Sequence, residues 1–198
     1  MKLSKSLITT LIVVGVIVIL IVSSVGMYNK LVSLEEGVNS QWANVENQYQ
    51  RRSDLIPNLV NTVKGVANFE QQTLTDVIKA RSEATSVKID PTNLNADAIQ
   101  KFQKAQDGLS SALSRLLVVV EKYPELKATQ NFLELQSQLE GTENRISVER
   151  RKFNEVAQQY NDNIRKFPKN IFATIFGFDK KAYFEAQEGA EKAPEVKF

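Results

Sequence analysis

The chain has 198 residues, 25 Lys and Arg against 23 Asp and Glu, and neither Cys nor His. Without imidazole or thiol there is no Ser-His-Asp arrangement, no His or Cys metal site, no disulfide framework and no lipidated cysteine. Apart from Lys2 and Lys5 the charge balances, which leaves no basic footprint for nucleic acid.

The first element in the chain is the stretch 7–25, LITTLIVVGVIVILIVSSV, which is uncharged and in which fourteen of nineteen residues are Leu, Ile or Val. That length crosses the ~30 Å hydrocarbon core as a helix, the one single-segment structure that satisfies its own backbone in lipid. A transmembrane helix is therefore expected over 7–26, with the bilayer as its partner. The other reading is a cleaved signal peptide, with Lys2 and Lys5 as its basic end and Val22-Ser23-Ser24 as its small-residue site. The uncleaved anchor is preferred, because the apolar run exceeds the usual ~7–15 residues and no Ala-x-Ala follows. Lys2 and Lys5 outweigh Lys30, so the positive-inside rule places 1–6 in the cytoplasm and the rest outside it.

From residue 28 onward apolar positions recur at helical spacing, and no segment alternates with period two. Leu31, Leu34, Val38, Trp42, Val45 and Tyr49 advance by threes and fours, and so do Phe132, Leu135, Leu139, Thr142, Ile146, Glu149, Phe153, Val156 and Tyr160. The latter run, like Ala98, Phe102, Ala105, Leu109, Ala112, Leu116, Val119 and Tyr123 before it, keeps the 4-3 alternation that makes the a/d seam of a left-handed, coiled-coil-like bundle. Helices are expected near 28–51, 54–87, 96–122 and 125–167. The first break is placed at Arg51-Arg52-Ser53-Asp54, with Ser53 or Asp54 capping a helix whose first turn holds Pro57. The alternative is one long helix kinked at Pro57. Asn95 is positioned to cap the third helix, Tyr123-Pro124 to end it and Phe167-Pro168 to end the fourth. The fold class is all-α: a transmembrane helix, then a long antiparallel up-down four-helix bundle with a C-terminal aromatic segment over 27–186, and an extension over 187–198. Anchor and first bundle helix are expected to form one rod, since Tyr28-Asn29-Lys30 contains no breaker. The aromatic segment 171–178 either closes the end of the bundle, the preferred reading, or dips into the lipid interface.

Four stretches carry a family resemblance: QRRSDLIPNLVNTVKG (50–65), LLVVVEKYPELKATQNFLELQSQLEGTENRI (116–146), RRKFNEVAQQYNDNIRKFPKNIFATIFGF (150–178) and APEVKF (193–198). The chain resembles the LemA family of bacterial membrane proteins over nearly its whole length after residue 28. The resemblance implies the four-helix bundle behind one membrane helix, in the bacterial inner membrane, and with the charge bias a periplasmic bundle. It implies no activity and no cofactor. Members are often encoded beside membrane heat-shock proteases or other envelope proteins, which makes a membrane protease or another envelope protein the implied partner class, and envelope stress or membrane protein quality control the implied setting. Two positions depart from the family pattern: Val66 stands where an aromatic is usual and Phe153 where Tyr is usual.

The interaction candidates are Arg51, Arg52, Asp54 and Asn58 at the expected first turn, and Phe172 and Phe176 in the aromatic segment. The first four form either a cationic tip for a carboxylate, phosphate or partner helix, or a structural cap; the cap is preferred. Glu70, Glu149, Asn154 and Asn163 fall on or beside the seam, where buried polar groups fix helix register. Glu143, Glu149 and Glu155 invite a di-iron comparison that the missing His counts against. The functional expectation is a non-enzymatic, membrane-anchored scaffold or interaction protein that self-assembles into homo-oligomers. The alternative is an extracytoplasmic bundle that senses a small molecule and acts through a separate membrane partner.

Overall fold

The computed structural model describes residues 5–65 and 70–185, so Val66, the extension 187–198 and most of the expected cytoplasmic segment lie outside the described residues. Among the described residues the chain is all-helical, as the periodicity predicts, with six α-helices and one 3-10 turn. These are α1 Lys5–Lys64, α2 Gln71–Ser86, the turn Pro91–Asn93, α3 Ala96–Val120, α4 Pro124–Lys127, α5 Gln130–Arg165 and α6 Lys169–Phe176.

The partition differs from the expectation of four bundle helices. No turn forms at 51–54: α1 is one helix of 60 residues with Pro57 inside it, which at ~1.5 Å per residue is roughly 90 Å long. The expected second helix, 54–87, divides between the end of α1 and α2. Two features carry the helix through Pro57. One is packing, since Arg52, Ser53, Ile56, Leu59, Val60 and Val63 are all buried along one face. The other is a replacement hydrogen bond. Proline lacks the N–H that would bond the carbonyl four residues back, at Ser53. That carbonyl instead accepts from Arg81 Nε of α2 at 2.8 Å. The defect in α1 thus becomes a tie between α1 and α2. Arg81→Ala is expected to cost about 1–2 kcal/mol by stranding a buried carbonyl. In a Pro57→Ala background the helix supplies its own N–H, and the same change should cost only a few tenths; a double-mutant cycle on urea midpoints measures the difference.

The other boundaries follow local chemistry. Asn95 caps α3 as expected, its Oδ1 accepting from Ala98 N at 2.9 Å. Pro124 opens the one-turn α4 rather than the last long helix, and α5 begins at Gln130. The Gln41 amide donates to Glu149 at 2.7 Å and Arg52 pairs with Glu143 at 2.8 Å, so α5 runs antiparallel to α1. Phe102 lies against Trp42, while Gln106 and Ser110 lie against Arg52, so α3 runs alongside α1 in the same direction.

Burial starts late in α1. The large apolar side chains from Leu7 to Val25 are all exposed, and the first fully buried residue is Leu31. From there the core forms two clusters. The near cluster gathers around Trp42, Phe102, Phe153 and Tyr160, and the far cluster around Leu59, Val63, Leu116, Leu126 and Phe132. Burying each such side chain is worth about 1.5–3 kcal/mol. Between the clusters lies a layer of buried polar groups.

Candidate functional site

The sequence candidates are not brought together. Arg51, Asp54 and Asn58 lie mid-helix on the exposed face of α1, and Arg52 turns inward. There is no cationic tip, because there is no turn. Phe172 is half-buried against the near cluster and Phe176 is exposed, at the opposite end of the helical body. Glu70 is exposed, and Asn163 accepts from Lys169 within the α5–α6 corner.

Arg52 builds the polar layer and is 2% exposed. Its Nη1 donates to Ser110 Oγ at 2.9 Å and to Glu143 Oε2 at 2.8 Å, and its Nη2 donates to Gln106 Oε1 at 2.7 Å. The guanidinium lies 5.1 Å from the Tyr49 ring centre. Gln106 in turn donates to the Ala84 carbonyl at 3.2 Å. One side chain therefore links α1, α3 and α5 directly, and α2 through Gln106. The planar fork of the guanidinium aims its donors at two helices at once, so this cluster fixes the positions of α1, α3 and α5.

A second constellation was invisible to periodicity. Gly177, in the left-handed region at φ 73°, turns the chain out of α6, and residues 178–185 run as a strap without helix across the near cluster. Two asparagines of α5 hold the strap by its main chain. Asn161 accepts from Lys181 N at 3.0 Å and donates to Lys181 O at 2.8 Å. Asn154 accepts from Phe184 N and donates to Phe184 O, both at 2.9 Å. Seven helical residues advance ~10.5 Å, and three residues of extended chain ~10 Å, so the spacing of the two amides matches the distance between Lys181 and Phe184. Side chains complete the clasp. Phe184 stacks on Trp42 with centroids 5.8 Å apart, Arg150 covers its ring at 4.8 Å, and the buried Lys181 ammonium pairs with Glu35 at 2.8 Å. Asn154 was legible as a seam polar group; Asn161 was not singled out, although its i, i+7 spacing from Asn154 was the available signal.

Burial dominates the electrostatics. It pushes the Tyr160 phenol strongly upward, with Glu35 and Asp179 adding to the effect. It also raises Tyr49 against the opposing charges of Arg150 and Arg52. The bond from Lys152, and then that from Gln41, holds Glu149 below the usual carboxylate range. Glu46 is raised by burial. A raised carboxylate costs stability above its folded pKa, and the cost vanishes once pH falls below the unfolded value. Glu46→Gln is therefore expected to raise the thermal midpoint at pH 7 and to make no difference near pH 4; midpoints at the two pH values check this.

Beside the strap lies an open groove of about 550 Å³ lined by Arg150, Arg151, Asn154, Glu155, Tyr183 and Phe184. A cleft of about 370 Å³ between α1, α2 and α3 is lined by Glu46, Tyr49, Ser53, Phe102 and Gln106 among others. Among the described residues no group of three or more Asp or Glu is placed to hold a metal ion.

A family model described as the LemA family matches residues 41–198. Similar curated proteins include Magnetosome protein MamQ 2 of Paramagnetospirillum magneticum, 28% identical over 181 residues, and Magnetosome protein MamQ of Magnetospirillum gryphiswaldense, 28% identical over 183 residues. Each alignment covers 83% of this chain and 66% of the relative, so the chain spans slightly less than two thirds of their length. Protein LemA of Metamycoplasma hominis is 24% identical over 164 residues, covering 83% of this chain and 71% of that protein.

Proposed function

The chain belongs to the LemA family, and from that premise we propose that it is a non-enzymatic, membrane-anchored interaction protein of the bacterial cell envelope. The observation that carries this reading is the unbroken α1, in which an exposed apolar span long enough to cross a membrane continues directly into the folded body. A stiff connection of that kind presents the body at a fixed height and orientation above a bilayer, which suits a scaffold. In this reading the rest of α1 with α2, α3 and α5 serves as an antiparallel four-helix bundle. The Arg52 layer sets its register, and Lys2 and Lys5 hold the amino terminus in the cytoplasm so that the bundle is periplasmic. Copies sharing one membrane are held at high effective concentration, so weak contacts suffice for self-assembly. The partner class is a membrane protease or another envelope protein, and the setting is envelope stress or membrane protein quality control.

Light scattering on the detergent-extracted chain tests the assembly. A multiple of the 22.3 kDa chain mass is expected, and a uniformly monomeric mass contradicts it. A second reading, a small-molecule sensor acting through a separate membrane partner, is favoured by one observation. The buried Ser53 Oγ, which has no hydrogen-bond partner among the described residues, lines the cleft between α1, α2 and α3. A thermal-shift screen without any hit counts against that reading.

A further inference from the structure

Among the described residues, the end of the body that faces the apolar span carries an apolar surface that stays largely exposed. α6 packs Ala173 and part of Phe172 against the near cluster. Its other side shows Ile171 at 49%, Ile175 at 68% and Phe176 at 54% exposure, and Phe167, just before the helix, at 81%. Ile171 and Ile175 stand four residues apart on one stripe, and Phe167 is exposed in the non-helical corner between α5 and α6. Around the stripe Arg165, Lys166, Lys169 and Lys180 outnumber Asp179.

What covers this surface is indicated by its neighbour. Phe176 lies edge-on to Tyr28 with ring centroids 4.9 Å apart, and Phe178 lies 5.7 Å from the same ring. Tyr28 is three residues past Val25, the last apolar residue of the span, which is about 4.5 Å along the helix. If the span crosses a bilayer, Tyr28 sits at headgroup depth, where aromatic belts form. α6 then lies in that same layer, with its apolar stripe free to reach the acyl boundary and its cations among the headgroups.

We infer that α6 and Phe167 form a second membrane contact: an interfacial wedge that seats the base of the helical body in the headgroup layer of the bilayer crossed by α1, with a preference for anionic lipid. This rests on the anchor reading above and adds a defined site to it. The contact fixes the tilt of the body as well as its height, because the membrane then holds it at two points. Aromatic closure of the body and contact with lipid divide between residues here. Ala173, Phe178 and part of Phe172 close the core, while Phe167, Ile171, Ile175 and Phe176 face outward.

The absence of cysteine permits single labelling sites in the full chain. Ile175→Cys, Ile171→Cys, Val18→Cys in the span and Val118→Cys on the exposed face of α3 would each carry an environment-sensitive fluorophore. The labelled chains are reconstituted in vesicles of equal parts phosphatidylcholine and phosphatidylglycerol containing lipid-borne nitroxide quencher. Labels at 171 and 175 are expected to be quenched severalfold more than the label at 118, and less strongly when phosphatidylglycerol is omitted. Quenching at 18 with water-like behaviour at 171 and 175 overturns the wedge while leaving the anchor. A dry but unquenched label at 175 overturns it in favour of a second protein copy. Failure of quenching at 18 overturns the anchor and the wedge together.

Discussion

Replacing Arg52 by Ala is expected to destabilise the helical body by about 3 kcal/mol, because it breaks a buried, multiply bonded ion pair and empties the volume of the side chain. The guanidinium is the shared partner of Ser110, Gln106 and Glu143, so its loss leaves acceptors on two helices without a donor. Glu143 has half its side chain in solvent, which limits the cost of its stranded charge and keeps the estimate below the upper end of ~5 kcal/mol for such pairs. For the same reason Glu143→Gln should cost only about 1 kcal/mol, since the amide oxygen still accepts from Arg52. Urea unfolding of the full chain in mild detergent measures both, read by the emission of Trp42, the chain's single tryptophan. A loss below about 1 kcal/mol for Arg52→Ala would mean that the bonds to Ser110, Gln106 and Glu143 do not hold the layer together.

Phe184→Ala is the second large effect, at about 3 kcal/mol in the range for deleting a buried aromatic ring. It differs in kind because it acts on the strap. Phe184 supplies the ring that Trp42 stacks on and that Phe153 meets edge-on at 5.5 Å. Without it the strap keeps the asparagine bonds and the Lys181–Glu35 pair, but its apolar anchor is gone. Trypsin should then cut after Lys181, which is only 3% exposed in the native chain, and Trp42 emission should shift to the red as water reaches the indole. Unchanged cleavage at Lys181 together with an unshifted Trp42 would show that the main-chain clasp alone holds the strap.

Those two sites mark where reading the sequence stopped. The seam positions were legible because helix burial repeats every three or four residues: Leu31, Val38, Trp42, Val45, Tyr49, Ile146, Phe153 and Tyr160 are all buried. Asn95 and Pro124 were legible because caps and proline act locally. Pro57 misled, because the residue that rescues its missing hydrogen bond, Arg81, is 28 residues away on another helix. Arg52 was placed at a turn, as a cap or a cationic tip, for a related reason. A charged residue is buried only when several partners converge on it, and that convergence is tertiary. Phe167 was expected to end the last long helix, yet α5 stops at Arg165 and Phe167 stands exposed beyond it. The strap had no period at all, since its register comes from two side-chain amides and not from its own apolar pattern.

The central claim is that one continuous helix carries the body on the outer side of a membrane. Protease accessibility of a carboxy-terminal tag in spheroplasts, with intact and lysed controls, tests it most directly. Digestion in intact spheroplasts is expected, with a tagged product of full-length mass before protease is added. Protection until lysis would place the body in the cytoplasm and contradict the orientation drawn from Lys2 and Lys5. A product shortened by the length of the apolar span would contradict the anchor itself.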